Sequence, residues 1–533
     1  MLFQRVIGVS VRFVVTLWVI IQACNGGMAL KCGEDDEDCR EQFMHPDLRE
    51  HALKRRSIPA EVLSDYWLDK GQRFVAYKDA TANTPPRGKA KNIILFLGDG
   101  MSLSTLAATR IYLGGEEQEL SFESFPDTGL MKTYAIDSMV PDSACAATAF
   151  LAGVKANYGT LGVSGHVERG DCDASANTSF QVDSIGKWAL DSGRQVGLIT
   201  NTRITHATPA GLYAHVADRD WENDKKLKND CGKNSGIKDI ALQLMEGDVG
   251  SRLKVIMGGG RAQFVDNGYY EDGKRRDGRN LIQEFLDESA QNIYVETKED
   301  LEHADVENTK RLLGLFNDGH MKYNLKAMDS VKNHQPSLPE MTKKAIEILQ
   351  NDDKGYFLLV EGGRIDTAHH DNKAKLALDE TAQLSEAVAL ARSMTSEEDT
   401  LIVVAADHSH TMSISGYAKR SNNIFGIANL ADDNIPYLTL SYANGPSFKD
   451  FFDTKNSMRY DPSDQIEDSD LDFDLQFPST APLESETHGG EDVAVYASGP
   501  WSDLFSGVYE QSTLPYLMAF AGCFGPGNHA CQA

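Results

Sequence analysis

The chain has 533 residues, of which 41% are hydrophobic, enough for a sizeable core. Its 79 acidic against 52 basic residues give a net charge of −27, which argues against a nucleic-acid partner, since phosphate-backbone contacts need Lys and Arg patches. Small phosphate esters stay open, because they are bound by local positive charge such as metal ions, and most of the acidity serves solubility.

Residues 1–28 read as a secretory signal: Arg5 and Arg12 precede the apolar run Phe13–Ile21, and small residues follow near Ala23–Gly27. The run falls short of the roughly 20 residues that a membrane-spanning helix needs. Eight cysteines fit a secreted, extracellular protein. Proximity pairs Cys32 with Cys39, Cys172 with Cys231 and Cys523 with Cys531, although connectivity does not follow from sequence alone. Cys24 leaves with the signal, and Cys145 is left over as a buried small hydrophobe. Asn177-Thr-Ser179 is a sequon for glycosylation.

Residues 57–78 read as an N-terminal helical arm. From residue 79, apolar runs alternate with helical patterns. Strands are expected at Asn92–Gly98, Gln195–Thr200, Leu253–Met257, 357–361 and 401–406, and helices at Ser179–Ser192, Lys238–Met245 and Thr367–Met394. That alternation predicts an α/β fold with a large, mostly parallel sheet and helices on both faces. Residues 79–408 and 488–525 form the catalytic domain. Between them, 409–487 is rich in Asn, Asp, Ser, Gly and Pro and reads as a loop-and-strand insertion.

Three of the apolar runs end in metal-type ligands: Asp99, Glu361 with Asp366 and His370, and Asp407-His408. In parallel sheets chemistry collects beyond the carboxyl ends of the strands, and crowded carboxylates and imidazoles call for cations. Asp366 and His370 are four apart, which on a helix puts their Cβ atoms about 5–6 Å apart on one face. His369 then points elsewhere. Asp407 and His408 reach one metal only if the chain turns there, because adjacent strand residues face opposite sides. The plainer reading of each motif alone is a turn Asp, a helix cap or a surface His. Ser143 opens an Ala-rich helical run, where a plain Ser N-cap is the commoner use. Thr205-His206-Ala-Thr208, Arg219 and His488 complete the candidates.

Together, Phe96-Leu-Gly-Asp-Gly-Met101, Asp142-Ser-Ala144, Thr205-His-Ala-Thr-Pro-Ala-Gly211, Val360-Glu-Gly-Gly-Arg-Ile-Asp366, Ala406-Asp-His-Ser-His410 and Thr487-His-Gly-Gly-Glu-Asp492 resemble the alkaline phosphatases of animals over residues 60–525. The resemblance implies hydrolysis of phosphate monoesters at alkaline pH, with Ser143 as the phosphorylated nucleophile. It implies two zinc ions and one magnesium ion per subunit. Asp366, His370 and His488 would hold the first zinc, and Asp99, Ser143, Asp407 and His408 the second. Asp99, Thr208 and Glu361 would hold magnesium, with His206 behind it, and Arg219 would clamp the phosphate. It also implies a homodimer, with 57–78 as the arm that crosses it and 409–487 as a crown. The family's calcium-type site has an acidic ligand where this chain has Asn317, so no calcium site is expected. No membrane-anchor signal is evident. The alternatives are a phosphodiesterase or a sulfatase of the same superfamily. Sulfatases need an Arg that Ser143-Ala-Cys-Ala-Ala lacks, and diesterases tend to use Thr and to lack the clamping Arg.

Overall fold

The computed structural model describes residues 37–44, 59–81, 88–233, 235–330, 333–466 and 472–531. The expected signal peptide and Cys32 lie outside the described residues, as do the side chains of Cys39 and Cys531.

Ten strands form one sheet: β1 (Asn92–Gly98), β2 (Asp127–Lys132), β3 (Gln195–Arg203), β4 (Val255–Gly259), β5 (Asn292–Val295), β6 (Arg311–Leu315), β7 (Tyr356–Gly362), β8 (Thr400–Ala406), β9 (Val493–Ser498) and β10 (Gly507–Glu510). Their order is β10-β2-β9-β8-β1-β7-β3-β4-β6-β5. From β8 to β5 every pairing is parallel, and β9 runs antiparallel to β8 and β2. The fold is therefore the mostly parallel α/β sheet expected. Ile93 to Leu97 and Phe357 to Val360 are fully buried, as continuous apolar runs in a doubly covered sheet must be. One helix group is Leu103–Leu113, Leu338–Leu349 and Ala374–Met394; the other is Ser143–Ala152, Ile185–Asp191 and Leu514–Gly522.

All five expected strands are present, but β2, β5, β6, β9 and β10 were not anticipated. They are short or peripheral; β2 in particular is only half-buried. The expected helix Thr367–Met394 is two helices, Arg364–His370 and Ala374–Met394. Asn372 breaks it with a left-handed φ of 57°, which Asn tolerates better than most residues. Its side chain accepts hydrogen bonds from the Ser447 backbone N–H and hydroxyl in the insertion. Ser179–Ser192 is reduced to a 3-10 turn and the helix Ile185–Asp191.

Within 409–487, Met412–Ile414, Leu440–Gly445 and Ser479–Pro482 form a three-stranded sheet. This region has its own apolar cluster, including Leu440, Tyr442 and Phe477, seated on Ala108, Ala374 and Leu378 of the main body. The N-terminal segment holds a turn at Pro59–Val62 and the helix Ser64–Thr81. Cys172 and Cys231 are disulfide-bonded, as is Cys523. Cys145 is a buried free thiol, and Asn177 is exposed. No described helix is long and apolar enough to cross a membrane.

Candidate active and metal site

Sheet register brings the distant ligands together. Gly98 of β1 lies opposite Gly362 of β7 on one side and Ala406 of β8 on the other. Three strands thus end level, and Asp99 and Asp407 leave neighbouring strands at the same height. Glu361 of β7 pairs with Thr200 of β3, whose hydroxyl donates to it. At Asp407 the chain turns out of the strand, so Asp407 Oδ2 and His408 Nε2 come within 3.2 Å of each other. Gly100 has φ 65° and donates its N–H to Asp407. A Cβ there would sit 2.3 Å from the His410 ring. Gly100 is therefore needed for close approach.

Asp142, not Ser143, caps the helix Ser143–Ala152, accepting the Cys145 N–H. That releases the Ser143 hydroxyl, which lies 3.2 Å from His408 Nε2 and 3.4 Å from Asp99 Oδ1. The second oxygen of Asp142 accepts from Arg219 Nη1 at 2.9 Å. Arg219 Nη2 is 3.0 Å from His206 Nε2. One capping carboxylate thus spares the hydroxyl from capping and holds the guanidinium beside it.

Asp366 and His370 share a face of the helix Arg364–His370, as their spacing required, with His370 Nε2 and His488 Nε2 each 3.3 Å from Asp366 Oδ1. His369 points away and bonds Thr105 and Tyr442. His370 Nδ1 faces the Glu486 carbonyl and His488 Nδ1 the Pro141 carbonyl. Those acceptors assign the ring protons to Nδ1 and leave lone pairs on both Nε2 atoms. Yet the two Nε2 atoms are 3.0 Å apart. Facing lone pairs at that distance repel unless a cation or a proton lies between them.

The carboxylates tell the same story. Asp99, Glu361, Asp366 and Asp407 are all fully buried. Burial, reinforced by Asp407 and Asp366, drives the Asp99 carboxyl well above its ordinary range. Burial also pushes Glu361 up to about 7, against the Thr200 hydrogen bond. Asp407 rises to about 7 for the same first reason. Among the described residues, Asp99 Oδ2, Asp366 Oδ2, Asp407 Oδ2, Glu361 Oε1 and Thr208 Oγ1 have no hydrogen-bond partner. Buried polar atoms are rarely left so, and metal ions would complete them. Ligand atoms of Asp99, Asp407 and His408 lie within 4.8 Å of one another, as do those of Asp99, His206 and Glu361. All the candidate ligands therefore converge, and Arg219 joins them through Asp142.

Sequence reading missed four participants. His410 donates through Nε2 to Asp366 at 2.7 Å and through Nδ1 to Glu486 at 2.5 Å. Burial opposes its charge, but Glu486 and Asp366 prevail and raise it to about 10. Its alternation with His408 was the available signal. Glu41, Arg203 and His320 form a second buried group beside His206, and no motif marked them.

Comparison with known proteins agrees with this geometry. The alkaline phosphatase family model matches residues 90–524. This chain belongs to the alkaline phosphatase family. It is 44% identical to a membrane-bound alkaline phosphatase of Bombyx mori over 489 residues, covering 89% of this chain and 88% of that one. To the human tissue-nonspecific alkaline phosphatase it is 42% identical, covering 87% and 90%. In fold it is similar to the alkaline phosphatase of Thermus thermophilus, with a TM-score of 0.58 at 24% identity, covering 82% and 92%. It is an enzyme, a phosphoric monoester hydrolase, and its substrates are phosphate monoesters.

Proposed function

We propose that hydrolysis proceeds through a phosphoserine at Ser143, in a site completed by two zinc ions and one magnesium ion. The observation that carries this is the set of orphaned oxygens on four buried carboxylates around the Ser143 hydroxyl. Asp366, His370 and His488 would hold one zinc; Asp99, Asp407 and His408, with the Ser143 oxygen, the other. Asp99, Glu361 and Thr208 would hold magnesium, with His206 next to them. Bound there, divalent ions would acidify a hydroxyl and offset charge developing on attacking and leaving oxygens.

Ser143 Oγ attacks phosphorus, the bond to the alcohol breaks, and the alcohol departs. Water then displaces Oγ and frees phosphate. Arg219, oriented by Asp142, holds phosphoryl oxygens through both Nη groups, the bidentate geometry that guanidinium favours. Dependence on an ionised hydroxyl supports an alkaline optimum. Secretion after signal removal, a homodimer with the 57–78 arm crossing it, a crown at 409–487 and a glycan on Asn177 belong to the same reading. No calcium is included, because the neutral Asn317 stands where the family's calcium-type site has an acidic ligand.

Rapid acid quenching during turnover of a phosphate monoester, followed by peptide mass spectrometry, tests the reading. Phosphate on Ser143 is expected. Phosphate on another side chain, or on none at saturating substrate under conditions that slow its release, would refute it.

A further inference from the structure

Beside the phosphate end of the site lies a cationic pocket that the reaction does not require. Arg203 is 2% exposed. Its Nε is taken by Glu222, at 2.9 and 3.1 Å. Its Nη1 and Nη2 face elsewhere, toward His320, His206 and Arg219. Two carboxylates of the helix Glu37–Met44 fill that volume. Glu37 accepts from Arg203 Nη1 at 3.0 Å and from the His320 backbone N–H at 3.0 Å. Glu41 accepts from Arg203 Nη2 at 2.9 Å and sits 3.1 Å from His206 Nε2. Its other oxygen is 3.8 Å from Arg219 Nη2. Arg40 of the same helix pairs with Asp371, next to His370, and Met44 is buried.

Arg203 already has Glu222 and Arg219 has Asp142 as counter-charge, so what the pocket offers is the remaining buried N–H groups of Arg203, which are costly without an acceptor. Glu41 is itself 6% exposed. Burial disfavours its charge, but His206 and Arg203 hold its carboxyl well below the usual range. The two guanidinium groups also argue against a metal at Glu41, His206 and His320, although the three could converge on one. The Glu41 oxygen 3.8 Å from Arg219 Nη2 sets a negative charge beside the guanidinium that would hold a phosphoryl oxygen, and the two anions repel.

We propose that Arg203, His206, Arg219 and His320 form a carboxylate-binding site, occupied by the chain's own acidic helix Glu37–Met44, and that this helix competes with substrate phosphate. The ligand class is an acidic peptide, and its effect is autoinhibition. The inference rests on reading Arg219 as the phosphate clamp.

The test uses the full chain loaded with zinc and magnesium. Glu41→Gln and Glu41→Ala should each lower KM for p-nitrophenyl phosphate and the inhibition constant of inorganic phosphate by at least fivefold, with kcat within twofold of wild type. A peptide spanning Glu37–Met44, added to the Glu41→Ala protein, should inhibit competitively; the same peptide carrying Glu41→Gln should not. Unchanged KM and phosphate inhibition in both variants, with an inert peptide, would overturn the proposal. Arg219→Ala separates the two failures. If it weakens phosphate binding while the Glu41 variants change nothing, the clamp stands and the docking falls. If it leaves phosphate binding untouched, the clamp itself falls.

Discussion

The site has two ends built on opposite principles. At one end Asp99, Glu361, Asp366 and Asp407 crowd together with oxygens left unbonded, beside imidazoles whose lone pairs face one another. At the other, Arg203 and Arg219 are met by Glu222, Asp142, Glu37 and Glu41. The chain completes the basic end itself. Among the described residues, one oxygen of each of the four carboxylates at the acidic end has no hydrogen-bond partner, and metal ions from solution would complete them. Unpaired buried charge is tolerated only where a ligand repays it. This contrast separates a resident metal site from a site that is merely polar.

The comparison breaks most sharply at Ser143. Replacing it with Ala should cost roughly 10³-fold or more in kcat, since loss of a nucleophile removes the covalent route, while bound metal and thermal stability change little. A smaller loss would detach the acidic end from the chemistry. Next comes Arg219→Ala, which should lower kcat/KM roughly 10–100-fold through loss of charged hydrogen bonds worth about 1.5–3 kcal/mol. An unchanged kcat/KM would mean that the basic end does not touch substrate.

His410→Ala should weaken metal retention or activity about 10–100-fold, because groups that orient ligands have effects of that size. Metal content after graded chelation measures it, and retention equal to wild type would contradict the role. A last effect, on stability and not on activity, concerns Glu380, a buried carboxylate outside both ends whose oxygens accept from Asn201 and the Asn324 N–H. Burial raises it from 4.5 to about 7 against those bonds. The folded state therefore binds a proton that the unfolded chain has released between those values, so its contribution to stability falls as pH rises through 4.5–7 and is level above. Glu380→Gln should gain on wild type across that window by roughly 3 kcal/mol, read from denaturant midpoints. A pH-independent difference would show that Glu380 is already ionised.

Much of this was legible from one chain. Continuous apolar runs marked β1, β7 and β8, because a strand buried on both faces shows no alternation, and the ligands at their ends followed. The i, i+4 pair Asp366 and His370 foretold a shared helix face. Sequence could not say which residue caps the Ser143 helix, since Asp142 and Ser143 are both good caps, and only the backbone decides. The break at Asn372 was hidden because its neighbours keep the helical period on both sides. Glu41 and Arg203 were invisible for a different reason: an acidic helix at residue 37 and an arginine at a strand end gain meaning only when folding brings them into contact.

Elemental analysis of the extensively dialysed protein, paired with its phosphomonoesterase activity before and after chelation, bears most directly on the acidic end. Two zinc and one magnesium per chain are expected, with activity lost on chelation and regained with both metals. Full activity in protein stripped of divalent metal would contradict the account.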